Sequence, residues 1–240
     1  MSEPTRFFFV HLQKTAGTAL YQRLREHFGT DAVYPTPGDQ GSPRAVTDVD
    51  FLADRFRAHR HDLRVITGHF PLCTVEVLDA PFTTFTLLRD PVERTLSFLR
   101  HQKMVDERFQ DRALEDIYTD PVLQNLMRNH MVKMLAITAT EMTAGLLTPM
   151  AVRTEDEGAA WLERAKISLA EGIDVVGLQE HFDDFCLQLA HRFGWDLGPP
   201  RFANRTPPLP ATDGFRDRIA VDNHLDVELY RHAVALRVRG

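Results

Sequence analysis

Four short apolar runs, rich in β-branched and aromatic residues, punctuate the chain at 7–12, 64–67, 83–88 and 175–178. Each is followed by a stretch whose apolar residues recur at helical spacing. That alternation predicts an α/β fold, a single P-loop-like domain over residues 1–240 with a central parallel sheet flanked by helices. Open sheets of this kind bind ligands at the carboxyl ends of their strands, where Lys14, His69 and Arg89 all fall.

The helix after the third run is the best delimited, with Asp90 as N-cap, Pro91 at the first helical position and Glu93 completing a capping-box pattern, and it runs to about Lys103. A second helix is expected over 122–136, where Met127, Met131 and Met134 read as core filler. Thr154 with Glu157 marks another helix start, continuing through Trp161, Leu162 and Leu169, and 182–193 repeats apolar residues at helical spacing. The stretch 198–214 contains Pro199, Pro200, Pro207, Pro208 and Pro210 and reads as a long loop before one final helix. Internal repeats and low-complexity tracts are absent from the sequence, and 38–43 is a turn-rich connection.

The segment 7–20, FFFVHLQKTAGTAL, runs an apolar strand into Lys14-Thr15-Ala16-Gly17-Thr18 and then into a helical pattern. A strand ending at the foot of a helix leaves backbone N–H groups unpaired and aimed at one point, where the helix dipole also favours negative charge. Lys14 adds a mobile cation, Thr15 and Thr18 add hydroxyls, and Gly17 lets the backbone approach a bulky anion without a Cβ in the way. The loop is not a Walker A motif, which would place glycines at Phe8 and Gln13.

Composition narrows the setting. A length of 240 residues suits one well-buried domain, and a net charge of -6 argues against a general nucleic-acid binder, so any phosphate site is local. Cys73 and Cys186 stand far apart and in no metal-ligand spacing, which points away from a disulfide framework or a metal site and toward a reducing, cytoplasmic setting. The first residues lead directly into the first strand, and no apolar run approaches ~18 residues, so neither secretion nor membrane insertion is expected.

A second signal is 85–102, FTLLRDPVERTLSFLRHQ, where a strand delivers Arg89 and the capped helix presents Ser97 about two turns later. Arginine at a strand end can grip a phosphate by a bidentate contact, and the competing reading is a surface ion pair with Asp90 or Glu93.

With both segments in view, the chain resembles the sulfotransferases that use 3′-phosphoadenosine 5′-phosphosulfate (PAPS), in particular the carbohydrate branch that includes the heparan-sulfate 6-O- and 2-O-sulfotransferases. HLQKTAGTAL is similar to that family's 5′-phosphosulfate loop and LLRDPVERTLSFLRH to its 3′-phosphate segment, with fainter similarity in NHMVKMLA, GLQEHFDDFCLQL, ANRTPP and LDVELYRHA. The resemblance implies that PAPS is the donor and 3′-phosphoadenosine 5′-phosphate (PAP) the product. It implies that Lys14, Thr15, Ala16, Gly17, Thr18 and Ala19 surround the 5′-phosphosulfate and that Arg89 and Ser97 hold the 3′-phosphate. Arg205 and Thr206 would close over the nucleotide with the C-terminal loop and helix, about 198–240.

On this reading a sulfuryl group passes in line to a hydroxyl of a carbohydrate or other small acceptor, without a metal. Lys14 stabilises the leaving phosphate and a base takes the hydroxyl proton. His69, in VITGHFPLC just beyond the second run, is the choice for that base, and the family likewise has a histidine in this region. Among the competing histidines, His11 falls within the first strand as a core residue, His101 shares the helix of Ser97, and His130 belongs to a helix on the acceptor side. Glu93 and Glu180 are alternative bases with simpler roles as a cap and a solvated charge, and Lys133 reads as a helix-surface lysine. The heparan-modifying enzymes are larger and membrane-anchored, and an acidic chain lacks a global attraction for a long polyanion, so a smaller sugar, a lipid-linked glycan or another hydroxylated metabolite is at least as good a candidate acceptor. Two other readings stay open: a small-molecule kinase, for which Asp90 is the candidate Mg²⁺ carboxylate, and a non-catalytic nucleotide-binding relative.

Overall fold

The computed structural model describes residues 5–39, 41–142, 155–199 and 210–239. Strands β1 (Phe7–Val10), β2 (Val33–Tyr34), β3 (Val65–Gly68), β4 (Thr83–Leu88) and β5 (Val175–Leu178) form one sheet in the order β2-β3-β1-β4-β5. Every pairing is parallel. The chain leaves β1 toward the β2 edge and later crosses back past β1 to reach β4, so the direction of travel reverses beside β1 and a crevice opens at its carboxyl end. Val10 stands opposite both Gly68 of β3 and Thr86 of β4, which brings the residues just beyond β1 and β3 side by side. β1 and β3 match the apolar runs to within two residues and the last two strands match them fully, whereas two-residue β2 is too short to carry a pattern.

The helices, in chain order, are α1 (Gly17–Phe28), α2 (Val49–His59), α3 (Thr74–Val77), α4 (Pro91–Val105), α5 (Leu114–Tyr118), α6 (Pro121–Met127), α7 (His130–Ala136), α8 (Glu155–Ile167), α9 (Phe182–Phe193), α10 (Asp213–Asp222) and α11 (His224–Arg239). Alternation along the strands decides the layers. Phe7 and Phe9 pack with Leu20 and Leu24 of α1 and with Phe185 and Leu189 of α9. Phe8 and Val10 face the other way, toward Leu52 of α2, Met131 of α7, Leu162 of α8 and Leu229 of α11. A smaller core gathers α4, α5, α6 and α10 around Leu96, Leu99, Ile117, Met127 and Ile219. Cys73 and Cys186 are free and buried in these layers. Among the described residues no helix is long and apolar enough to cross a membrane.

Four local expectations are revised. The Asp90 carboxylate does cap α4, accepting from the Glu93 N–H at 2.9 Å, but Glu93 does not reach back. Its carboxylate accepts from Arg216 of α10 at 2.7 Å, and the Asp90 N–H donates instead to Glu180 at 3.2 Å. The single helix expected over 122–136 is two, α6 and α7, because Asn129 takes a left-handed conformation at φ 47°. The break is stabilised by buried partners. The Asn129 N–H donates to Asn223 Oδ1 at 3.0 Å, while the Asp226 carboxylate accepts from the N–H groups of Met131 and Val132 at 3.1 and 2.8 Å. Arg94 of α4, fully buried, donates to the Met127 carbonyl at the end of α6. The methionines of this stretch are core filler as expected, but Lys133 is buried rather than on a helix surface, with its ammonium donating to the Asn125 carbonyl at 2.8 Å. Beyond the prolines the expected final helix is also two, α10 and α11, and α11 packs on α7, α8 and α4. Thr154, the expected cap of α8, lies outside the described residues.

Asp226 and Asp90 both cap helices, yet only Asp226 is fully buried. Removing a buried charged acceptor strands its donors and its cationic neighbours, at about 3–5 kcal/mol, whereas loss of an ordinary N-cap costs about 1 kcal/mol. Asp226→Ala is therefore expected to lower stability in urea several times more than Asp90→Ala; equal losses would contradict this account of the α6–α7 break.

Candidate active site

The loop between β1 and α1 is shaped by four hydrogen bonds that take up its carbonyls and its flanks. The Leu12 carbonyl accepts from the fully buried Thr15 hydroxyl at 2.8 Å, and the Lys14 carbonyl accepts from the Arg89 guanidinium at 3.0 Å. The Gln13 N–H donates to His130 Nε2 at 3.3 Å, and the Ala16 carbonyl accepts from the Ala19 N–H at 3.0 Å. Lys14 and Ala16 are both left-handed, at φ 68° and 67°. Such residues cost of order 1–3 kcal/mol each and concentrate at ligand sites, and alternating them with right-handed ones aims successive N–H groups at one point. Among the described residues, the N–H groups of Thr15, Ala16, Gly17 and Thr18 have no protein partner. Ala16, at the N-cap of α1, offers no side-chain cap either. The result is a cluster of unpaired donors at a helix N-terminus, suited to an anion.

The expected loop residues divide by role. Thr15 turns its hydroxyl inward and Ala19 spends its N–H on the helix, so the exposed Thr18 hydroxyl and the loop amides face outward. Gly17 also makes room for a neighbouring side chain: a Cβ there would lie 2.0 Å from the His11 ring. His11 itself is not a strand residue. It follows the end of β1, half-buried, with its ring stacked on Phe9 at 5.2 Å.

Arg89 stands at the end of β4 as expected, but it bonds the loop rather than Asp90 or Glu93, and its buried Nε has no partner. Ser97 is half-buried on α4, and His101 lies one turn further along the same face. The pKa of His101 is lowered by burial and then by Lys14, which places its ring in the field of the loop lysine. Arg205 and Thr206 lie outside the described residues.

His69 sits at the end of β3, held from both sides. Gly68 precedes it at φ 151°, where a Cβ would meet the Phe70 ring at 2.3 Å, and the His69 N–H donates to the Val46 carbonyl at 2.7 Å. Its Nδ1 is 3.1 Å from the His11 carbonyl. A carbonyl only accepts, so Nδ1 carries the proton and Nε2 presents a lone pair. The rings of His11 and His69 have centroids 4.6 Å apart. Glu93 and Glu180, the alternative bases, are engaged with Arg216 and with the Asp90 N–H.

The electrostatics favour neutral imidazoles and an anionic guest. Burial is the main cause lowering the pKa of His11, followed by His69 and Lys14; for His69 it is burial opposed by the bond to His11 and reinforced by Lys14. Burial and the Arg89 charge lower the ammonium of Lys14. Arg89 is likewise lowered by burial, with Glu93 and Glu180 acting in the opposite sense. An anion between Lys14 and Arg89 would relieve their mutual repulsion. No group of three or more potential metal ligands occurs among the described residues.

Two contacts of the site were not legible in sequence. His11 reads as part of the first apolar run, and only the register of β1 against β3 reveals that it faces His69. His130 lies more than a hundred residues from the loop it anchors, and no spacing rule connects them.

His130 is buried, and its pKa is held well below the usual range by burial first and then by Arg94, His69, Lys133 and His11. It accepts the loop N–H in its neutral form. A histidine whose folded pKa is depressed contributes stability that is present above its unfolded value near 6.5 and lost as pH falls through and below it, by up to about 1.4 kcal/mol per pH unit. Thermal stability should therefore fall between pH 7 and pH 5, and the slope should be shallower in His130→Gln, which keeps an acceptor but does not titrate. An unchanged slope would show that His130 takes up its proton in the folded state just as it does in the unfolded chain.

No protein-family model matches this chain, and no curated protein matches it either, so the chemistry of the site rests on its own residues.

Proposed function

We propose that this chain is a PAPS-dependent O-sulfotransferase acting on a hydroxyl of a carbohydrate or other small acceptor. The observation that carries the reading is the joining of two segments through one hydrogen bond, Arg89 to the Lys14 carbonyl, which sets an amide-lined loop and a strand-end arginine around one crevice. The residues fit a nucleotide with phosphate at both ends. The free amides of residues 15–18 and Lys14 suit a 5′-phosphosulfate, while the buried, unpartnered Nε of Arg89 and the Ser97 hydroxyl suit a 3′-phosphate.

When bound, the nucleotide supplies an activated sulfuryl group. Lys14 and the loop amides stabilise the negative charge that grows on the departing phosphate oxygen, and they are already oriented before the reaction starts. His69 accepts the acceptor proton at Nε2, its ring fixed by the bond from Nδ1 to His11. Asp90, the carboxylate a kinase reading would assign to Mg²⁺, already accepts from the Glu93 N–H as a helix cap.

Saturating PAP should raise the thermal midpoint of the wild-type chain, about 2.7 kcal/mol of stabilisation at a hundredfold excess over Kd, and more than ATP with Mg²⁺ does. Lys14→Ala and Arg89→Ala should each lose most of that response. His69→Ala should keep it and lose sulfate transfer by about 10²–10⁴-fold, measured as PAP release from PAPS with a panel of mono- and disaccharide acceptors. Greater stabilisation by ATP with Mg²⁺ would replace the reading with a kinase, and turnover unchanged in His69→Ala would remove His69 from the mechanism.

A further inference from the structure

We propose that His11 is a second catalytic imidazole, which contacts the sulfuryl group itself and holds it in line between the donor phosphate and the acceptor. This rests on the sulfotransferase reading and goes beyond it, since that reading gives His11 no contact with the sulfuryl group.

The placement comes from the end of β1. Phe85, Phe9 and His11 form a column of near-parallel rings, each pair 5.2 Å apart and inclined by 10°, so the imidazole is rooted in the core between sheet and α1. On the loop side the ring lies against Gly17, the first residue of α1, in the space a Cβ would fill. On the other side it faces the ring of His69. His11 thus stands between the two groups that in-line transfer must separate, the amide-lined loop at the phosphate and the base at the acceptor.

Its polar atoms divide the work. The backbone carbonyl accepts from His69 Nδ1 and so orients the base, which leaves the ring free for another task. Among the described residues neither ring nitrogen hydrogen-bonds to protein, although a half-buried imidazole in a folded chain ordinarily finds a partner. A neutral imidazole has one N–H to donate, and a sulfuryl oxygen is an acceptor of matching reach and charge.

The step balances without a further reactant. The acceptor oxygen forms its bond to sulfur as the sulfur–oxygen bond to the phosphate breaks, and that electron pair stays on the phosphate oxygen beside Lys14. The acceptor proton goes to His69 Nε2. His11 keeps its proton throughout and supplies only a hydrogen bond that fixes the sulfuryl group, a contribution of orientation.

The test compares two nucleotides that differ only in that group, and it needs no acceptor. PAPS and PAP are titrated by calorimetry into the wild-type chain, His11→Phe, which keeps the ring stack without a donor, and His11→Gln, which keeps a donor. His11→Phe should weaken PAPS about tenfold and leave PAP within about twofold, with His11→Gln recovering part of the loss. Equal weakening of both nucleotides in His11→Phe, or no change in either, would overturn the assignment. If the wild-type chain bound neither nucleotide, the sulfotransferase reading would fall first and the role of His11 with it.

Discussion

The site depends on one constraint: a loop that keeps four backbone N–H groups without a protein partner has to be held by everything except those groups. Its two non-glycine residues in left-handed conformations add a conformational cost. The loop persists because its carbonyls and its first amide are bound elsewhere, to Thr15, Arg89 and His130. Each comes from a different part of the fold: the loop itself, the end of β4 and the start of α7. The donors left without a protein partner are the remainder after these internal demands are met.

His130 ties the loop to the far end of the chain. It opens α7, whose first turn is fixed by the Asp226 carboxylate and whose preceding residue pairs with Asn223. The Asp226 carboxyl is raised by burial while Arg94 and the amides of Val132 and Met131 draw it back toward ionisation. Lys133, lowered to about 8 by burial, completes a buried charged group behind the crevice. Such groups cost desolvation and are weak devices for stability, but they tolerate few alternative arrangements. Here the arrangement they select sets the position of an imidazole that holds the anion loop.

The same crowding explains the ionisation pattern. Lys14, Arg89 and three imidazoles converge on a small, partly buried volume, where burial is the main cause lowering each of them and neighbouring charges add to it, Arg89 at Lys14 and Lys14 at His11 and His69. The histidines are thereby biased to their neutral forms, which suits one to accept a proton and the others to take part in hydrogen bonds. Without a guest the permanent cations repel each other; a bound anion turns that repulsion into attraction. An overall net charge of -6 conceals this local arrangement.

Local rules determined a good deal by themselves. The apolar runs made the parallel sheet legible, because a strand buried on both faces must be apolar throughout, and the Asp90-Pro91 signature placed the start of α4 since capping is a short-range effect. The Lys14 to Thr18 segment was legible as a strand-to-helix turn with unpaired backbone N–H groups, from its position between strand and helix. Tertiary structure alone decided the rest. β2 is too short for a period to register, and the break between α6 and α7 is stabilised by Asn223 and Asp226 from the other end of the chain. Gly17 proved to make room for the His11 ring, a contact invisible to any local rule. The pairing of His11 with His69 follows from the register of β1 against β3, and the anchoring of the loop by His130 follows from α7 packing beneath the crevice. Spacing along a chain encodes what neighbours do to each other; which distant side chains meet is settled only when the layers close.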